Sequence, residues 1–237
     1  MLAILLTFLL ARAKVAELTA PEIQAYGEAL SALESRKPGA TVGKLFDAAL
    51  AVRSSLLREA GNESLIEGLS DVAFKSLTHR LPGIILNREE VLLAEPDPKF
   101  FLSLARRRGS AADVEFFQNY AATRPDGVWK SYTDQQTDVT GCTNFANGEL
   151  VKRYGGWLAF QSTYPHAYSS VVREELAAIE SEVSESTCAC STRTEVLREL
   201  ERFARMFPEA AVTARVRNRI RAIRALSSSI RFNCQSG

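Results

Sequence analysis

Four cysteines are the residues of this chain whose chemistry is most readily predicted: Cys142, Cys188, Cys190 and Cys234. An even number of cysteines is typical of disulfide bonding in an exported protein. A bond between Cys188 and Cys190 would close a very small, strained ring. We therefore expect one of these neighbours to bond Cys142 and the other to bond Cys234. The sequence leaves both arrangements open.

Two other uses of these cysteines fit their spacing less well. Thiol redox catalysis usually employs two cysteines with two residues between them, whereas a single alanine separates Cys188 from Cys190. Zinc sites usually use cysteine pairs with two to four intervening residues, and neither His79 nor His166 is close to the cysteines in sequence. We therefore expect structural disulfides, with no metal and no cofactor.

Residues 126–149 gather acidic, amide and aromatic side chains on a predicted loop, where binding residues often collect. Asp134 and Asp138 are candidates for the carboxylate pair of a glycosidase, which would make the protein a secreted hydrolase. The alternative is a long connection whose aromatic residues fold back onto the core. The partner-binding candidates in this segment are Trp129, Tyr132, Gln135 and Gln136.

The last predicted helix is basic and amphipathic. Its arginines surround the apolar residues Val216, Ile220 and Ile223, and residues 210–237 contain no acid. Such a helix suits an anionic surface or an acidic partner, and Arg215 and Arg219 are its partner-binding candidates. The alternative is that acidic residues such as those of 174–182 neutralise the arginines within the fold.

The N-terminus and the charge balance bear on compartment and partners. Residues 1–13 combine an apolar run with Ala11-Arg12-Ala13, a pattern typical of a cleaved secretory signal peptide. We therefore expect an exported protein, periplasmic or extracellular. Lys and Arg number 29 and Asp and Glu number 28, so no global field favours nucleic acid as a partner.

Apolar periodicity predicts helices almost throughout, hence an all-α fold. Only a short helix at most is expected in residues 84–99. The chain is predicted to consist of a signal peptide at 1–13, an N-terminal helical region at 14–123, an irregular loop at 124–141 and a C-terminal helical-hairpin region at 142–237. The helices of the first half are predicted at residues 19–35, from 41 to about 60, 63–79, 98–108 and 111–123, and breaks in the second half are predicted at 163–165, 184–191 and 207–209.

An aromatic residue stands five positions before a proline in two related segments. Phe160 and Pro165 match Phe203 and Pro208 at an offset of 43 residues, and a weaker echo begins at Tyr120. Proline ends one helix and suits the first turn of the next. The pattern therefore predicts a helix, a tight corner and a second helix, although any helical bundle can contain two such corners.

These corners resemble those of tetratricopeptide-like proteins of the bacterial cell envelope. The resemblance covers residues 160–224 and implies antiparallel helical hairpins stacked as an irregular α-solenoid or bundle, here clipped by disulfides. Stacked hairpins usually bind other proteins. We therefore expect a non-catalytic protein-binding or scaffold protein of the cell envelope, with contact surfaces in residues 124–145 and in the basic C-terminal helix. The alternatives are a secreted hydrolase and a periplasmic inhibitor or immunity protein.

Overall fold

The computed structural model describes residues 20–60, 63–137 and 140–234. The predicted signal peptide at 1–13 lies outside these ranges. The chain divides into two compact units, unit 1 (Met1–Phe117) and unit 2 (Gln118–Gly237), and the boundary falls inside the helix Ala111–Thr123. Helices dominate the described residues, as predicted, and three two-stranded antiparallel sheets accompany them.

Local signals explain where the helices of unit 1 begin. Pro21 occupies the first turn of the first helix, and the Thr41 hydroxyl caps the second by accepting from the Lys44 N–H. The Asp97 carboxylate caps the helix that Pro98 opens. The elements are α1 (Pro21–Glu34), α2 (Val42–Leu56), β1 (Glu59–Ala60), β2 (Glu63–Ser64), α3 (Asp71–Arg80), β3 (Ile84–Asn87), β4 (Leu93–Pro96), α4 (Pro98–Arg108) and α5 (Ala111–Thr123).

A cluster of phenylalanine rings forms the core of unit 1. Phe46 on α2 makes edge-to-face contacts with Phe101, Phe116 and Phe117 at centroid distances of 5.1–5.6 Å. All four rings are fully buried. Helix α2 also packs against α1, α4 and β4, so the phenylalanine cluster lies at the centre of the contacts that hold unit 1 together.

The second helix ends at Leu56 and not near residue 60, where β1 forms instead. Two further sequence predictions in unit 1 are wrong. Residues 63–79 were expected to form one helix, but α3 begins only at Asp71, because the Ser70 hydroxyl caps it by accepting from the Ala73 N–H. Residues 84–99 were expected to contain a short helix at most, but β3 and β4 pair there as an antiparallel hairpin in which Ile84 lies opposite Pro96. Apolar residues at both sites bury against neighbours that the periodicity does not identify.

Unit 2 contains the hairpin β5–β6 and four further helices. The predicted loop at 124–141 includes β5, which pairs with β6 so that Asp134 lies opposite Cys142. The predicted breaks at 163–165, 184–191 and 207–209 separate the helices as expected. The elements are β5 (Thr133–Gln135), β6 (Gly141–Thr143), α6 (Glu149–Thr163), α7 (Ser169–Glu185), α8 (Arg193–Met206) and α9 (Thr213–Arg224). Helices α6 and α9 each pack against α7 and α8.

The repeated corners share one backbone geometry. The N–H of Tyr164 donates to the Phe160 carbonyl at the end of α6, and the N–H of Phe207 donates to the Phe203 carbonyl at the end of α8. The dihedral angles of the two corner residues are φ −130°, ψ 68° and φ −125°, ψ 60°. The same bond recurs from Arg124 to the Tyr120 carbonyl after α5. The aromatic–proline spacing therefore specifies the same way of ending a helix three times.

Candidate functional site

The two disulfides connect Cys142 to Cys190 and Cys188 to Cys234. The expectation that the two neighbouring cysteines bond elsewhere is confirmed, and the pairing that the sequence left open is decided. The Cα atoms are 5.4 Å apart in the first bond and 5.9 Å apart in the second. Structural disulfides persist in oxidising compartments.

Backbone hydrogen bonds explain why this pairing is adopted. Residues 188–190 run between Thr143 of β6 and Arg231 of the C-terminal segment. The Cys190 N–H donates to the Thr143 carbonyl at 3.0 Å, and the Ala189 N–H donates to the Arg231 carbonyl at 2.9 Å. Residues 188–190 therefore form a central strand with one disulfide to each side. The C-terminal segment is held by backbone hydrogen bonds and by the Cys188–Cys234 disulfide.

Gln136 closes this disulfide region from one side. Its side-chain amide donates to the sulfur of Cys142 at 2.8 Å and to the backbone carbonyl of Cys234 at 2.6 Å. Sequence reasoning assigned Gln136 to a partner surface, whereas its amide is used within unit 2. Gln135, the next residue along β5, is exposed.

Glu175 is a buried carboxylate of unit 2 that contacts two partly exposed cations. Glu175 on α7 has a side chain that is only 4% exposed, and its carboxylate lies 2.5 Å from the Arg124 guanidinium and 3.7 Å from the Lys130 ammonium. Burial lowers the pKa of Lys130, an effect that the Glu175 carboxylate opposes. Sequence reasoning missed this cluster, although Glu175 lies three residues after Val172 and four before Ile179, on the apolar side of α7.

Tyr132 belongs to the same interior and not to a surface. Its side chain is buried, and its hydroxyl has no hydrogen-bond partner among the described residues. Burial raises the pKa of Tyr132, and the negative charges of Glu175 and Glu182 raise it further. The prediction that Tyr132 contacts a partner is therefore corrected, because its ring is part of the packed core.

Arg219 is also an interior residue. It is 8% exposed, and its guanidinium donates to the backbone carbonyls of Glu182, at 2.8 Å, and of Ser186. Burial lowers the pKa of Arg219 to about 10, against the opposing charges of Glu182 and Glu185. The predicted partner contact of Arg219 is corrected too, because the side chain closes the C-terminal end of α7, where positive charge is favoured.

The arginines of α9 divide into paired and unpaired ones. Arg215, the other candidate of this helix, pairs with Glu185 at 2.6 Å, and Arg224 pairs with Glu201 at 2.7 Å. Arg217 and Arg221 are exposed, and neither forms an ion pair with a carboxylate of the described residues. Arg221 donates to the Asn218 side chain at 2.5 Å.

Leu226 lies two residues beyond the end of α9 and is unusual in two ways. Its side chain is 77% exposed, and its φ of 60° is in the left-handed region. Glycine is common at this position after a helix, because a side chain there costs about 1–2 kcal/mol. We define the outer face of α9 as Arg217, Asn218 and Arg221 together with Leu226 beyond the helix end, and it contains two cations without an ion pair among the described residues and one exposed apolar side chain.

Of the two aspartates predicted to form a carboxylate pair, the structure describes only Asp134. Asp134 is exposed on β5, and both of its oxygens accept from the Asn144 side chain, at 3.0 and 2.8 Å. Asp138 lies outside the described residues. Trp129 is half-buried and its ring covers Gly141, where an added Cβ would come within 3.1 Å of the ring. The hydrolase hypothesis stays a prediction.

Within residues 20–60, 63–137 and 140–234, no three His, Cys, Asp or Glu side chains are grouped to hold a metal ion. None of the helices in these ranges combines the length and apolar character needed to cross a membrane. No protein-family model, curated protein or solved structure matches the chain.

Proposed function

We propose that this chain is an exported, non-catalytic binding or scaffold protein of the cell envelope that binds an acidic partner protein through the outer face of α9. The observation that carries the proposal is that Arg217 and Arg221 of α9 are exposed and form no ion pair among the described residues, and that the exposed Leu226 follows shortly after the end of the same helix. Arginine is among the residue types that dominate binding energy at protein interfaces, and Leu226 adds exposed apolar area that a bound partner would cover.

The charge of the region supports an acidic partner. No acidic residue occurs between 210 and 237, and the nearby Glu185 and Glu201 already pair with Arg215 and Arg224. Positive charge therefore remains on the outer face and would accelerate the approach of an acidic protein. The positive potential would be screened beyond about 10 Å at 0.1 M salt, so binding should weaken as salt is added.

Export is supported by the N-terminal sequence and by the disulfides. Residues 1–13 have the apolar run and small-residue site of a signal peptide, and two disulfides require an oxidising environment to persist. Intact-mass measurement of the secreted or periplasmic protein tests this. We expect a chain that begins at Lys14 and gains the mass of two reduced disulfides on treatment with reductant. A chain that retains residues 1–13, or that carries free thiols before reduction, would contradict export.

The resemblance of residues 160–224 to tetratricopeptide-like envelope proteins favours the same function. The three equivalent corners support a hairpin-based fold, and stacked helical hairpins are typically binding scaffolds. The stacking itself remains part of the proposal.

Site-specific photo-cross-linking in the producing cell tests the partner surface. A photoreactive amino acid is placed at Asn218 on the outer face of α9 and, as a matched control, at the exposed Ala177 on α7. We expect one protein adduct of defined mass from position 218 and none from position 177. The double variant Arg217→Glu, Arg221→Glu should abolish that adduct.

A second pair of reversals separates the outer face from total charge. Arg173 and Arg205 are exposed helical arginines of unit 2 outside α9, and reversing both to Glu changes the net charge by the same amount. This control should keep the adduct. Loss of the adduct in the control as well, or its survival in the α9 variant, would refute the outer face of α9 as the contact surface.

A further inference from the structure

Unit 1 contains an open cleft with a strongly basic lining. Its volume is about 480 Å³, within the range of small-molecule sites. It lies where the C-terminal ends of α1 and α4 both reach the surface. We name it the basic cleft, and its lining residues are Leu33, Arg36, Lys37, Ala40, Arg107, Arg108 and Gly109.

The positive charge of the basic cleft is not neutralised by the described residues. No carboxylate lines it, and none of its four cations forms an ion pair in the parts of the chain that the structure describes. By contrast, Arg53 and Arg88 of the same unit pair with Glu95 and Asp71. The C-terminal end of each helix contributes roughly half a negative charge. The two helix ends together therefore offset about one of the four positive charges.

The nearest carboxylates along the chain belong to Glu34 and Asp113. The Asp113 carboxylate accepts from the backbone N–H and the hydroxyl of Ser110, at 2.7 and 2.9 Å, and so caps α5. The Arg107 Nε has one long hydrogen bond, at 3.4 Å, to the Ser103 carbonyl of its own helix. Glu34 is exposed and forms no ion pair among the described residues, so the guanidinium forks that line the cleft are available to an anion.

Arg36 is held in a backbone conformation that favours glycine. Its φ is 55°, and the bonds from its N–H to the Leu33 carbonyl and from the Lys37 N–H to the Ala32 carbonyl close α1 in the usual left-handed end motif. An arginine at this position stores backbone strain. Arg36 adopts this conformation at the end of α1 and lines the cleft together with Arg107 and Arg108.

The chemistry of the lining defines the ligand class. Guanidinium groups match phosphate and sulfate oxygens in a bidentate way. No aromatic residue lines the cleft to stack a nucleobase, and only Leu33 and Ala40 are apolar. We propose that the basic cleft binds a compact polyanion with two or more phosphate or sulfate groups, independently of the outer face of α9.

Calorimetric titration of the disulfide-bonded protein with inorganic tripolyphosphate tests this site. The variant Arg107→Gln, Arg108→Gln should bind at least about tenfold more weakly, because hydrogen bonds to charged groups are the strong ones. The matched control is Arg106→Gln, Lys99→Gln, which removes two exposed cations of α4 that do not line the cleft. It should change the affinity by less than about twofold.

Arg36→Gly separates binding from folding. Glycine relieves the left-handed strain, so this variant should have a higher Tm than the parent while binding tripolyphosphate several-fold more weakly. A purely structural role for Arg36 predicts the higher Tm with unchanged affinity. That result would remove Arg36 from the site.

A comparison with lipid vesicles distinguishes two sources of the polyanion, a lipid headgroup and a soluble compound. Phosphatidylcholine vesicles with and without cardiolipin, whose headgroup carries two phosphates, are compared with soluble tripolyphosphate. Binding to cardiolipin vesicles that depends on Arg107 and Arg108 would identify a lipid phosphate source. Binding to tripolyphosphate alone would identify a soluble one. If neither probe binds, or if the control variant loses as much affinity as the cleft variant, the proposal is refuted.

Discussion

Unit 1 and unit 2 are stabilised by different chemistry. In unit 1, fully buried phenylalanine rings contact one another around Phe46, and the cations Arg36, Arg107 and Arg108 lie at a surface cleft. In unit 2, charged groups such as Glu175 and Arg219 are inside, and two disulfides hold the C-terminal segment. The same residue type, arginine, is therefore available to ligands in one unit and used for internal structure in much of the other.

The difference matters for assigning function to basic residues. A buried cation that is bonded to backbone carbonyls, as Arg219 is, stabilises its own fold and has little capacity left for a partner. An exposed cation that has no carboxylate partner within its own chain can still attract a carboxylate of a binding partner. The number of arginines in a helix is thus a weaker guide to binding than the pairing of each.

The two units can be monitored separately. Both tryptophans of the chain, Trp129 and Trp157, belong to unit 2. Tryptophan fluorescence therefore reports the unfolding of unit 2, whereas far-UV circular dichroism reports the helices of both units. Each of the following predictions uses this contrast.

The largest effect is expected from Phe46→Ala in unit 1. Removing a fully buried ring that contacts three others should lower the free energy of unfolding of unit 1 by about 3–5 kcal/mol. Chemical denaturation followed by circular dichroism should show an earlier transition, with the tryptophan signal unchanged. The exposed Val72→Ala is the control and should cost less than about 0.5 kcal/mol. An equal shift of both signals would mean that the two units unfold together.

Glu175→Ala should have a comparable or slightly smaller effect, confined to unit 2. The substitution leaves Arg124 and Lys130 without their buried anion, which typically costs about 3–5 kcal/mol. The tryptophan transition should move to lower denaturant. The neighbouring Glu174, which is exposed, supplies the control Glu174→Ala. The double variant Glu175→Leu, Arg124→Leu should regain part of the stability that the single variant Glu175→Leu loses. No such gain would contradict the ion-pair explanation.

Removal of one disulfide should cost about 2–4 kcal/mol in unit 2. Cys142–Cys190 and Cys188–Cys234 span 48 and 46 residues, so the chain-entropy model predicts nearly equal losses. The measurement compares Cys142→Ser, Cys190→Ser with Cys188→Ser, Cys234→Ser by tryptophan fluorescence. A large difference between the two would show that native contacts, such as those of Gln136, outweigh loop closure.

Two tyrosine substitutions in unit 2 should have small effects of opposite sign. The Tyr132 hydroxyl is buried without a partner among the described residues, so Tyr132→Phe should stabilise unit 2 by about 1 kcal/mol. The Tyr154 hydroxyl donates to Glu180 at 2.7 Å, so Tyr154→Phe should destabilise it by a similar amount. Tryptophan-monitored denaturation measures both, and the same sign for both would contradict the hydrogen-bond argument.

The raised pKa of Tyr132 also predicts that the stability of unit 2 depends on pH. Burial raises the pKa of Tyr132 in the folded state, so the folded unit keeps a proton that the unfolded chain releases near pH ~10. The contribution of this group is full below that pH and declines as the pH rises above it. Tyr132→Phe should therefore lessen the alkaline loss of stability, measured as the denaturation midpoint at neutral and alkaline pH. An unchanged alkaline loss would remove Tyr132 as a cause.

Local sequence signals predicted many helix limits. Helices at 98–108 and 111–123 are found as predicted, because Asp97-Pro98 and Gly109-Ser110 act within a few residues of the ends they define. The helix at 63–79 was wrong because apolar periodicity alone could not weigh the cap at Ser70 against continuation. The hairpin β3–β4 was missed because its pairing joins residues whose partners are several positions away.

The candidate sites were less predictable than the helices. The sequence placed Tyr132, Gln136 and Arg219 on partner surfaces. The structure buries Tyr132, and it uses the Gln136 amide at the disulfides and the Arg219 guanidinium at the end of α7. One signal was present: Arg219 lies three residues after Val216 and four before Ile223, on the apolar stripe of α9. The basic cleft had no such signal, because Arg36 and Arg108 are distant in sequence.

By itself, the sequence determined a helical chain, the repeated aromatic–proline corners and the expectation that Cys188 and Cys190 bond elsewhere. These features depend on φ/ψ preferences, capping and ring strain within a few residues. Only the tertiary structure decided that Cys190 bonds Cys142, which arginines are paired and which cations share a cleft. Those outcomes depend on which distant backbone segments pair and on which charges become buried, and the two cysteine pairings were equally open until Thr143 and Arg231 flanked residues 188–190.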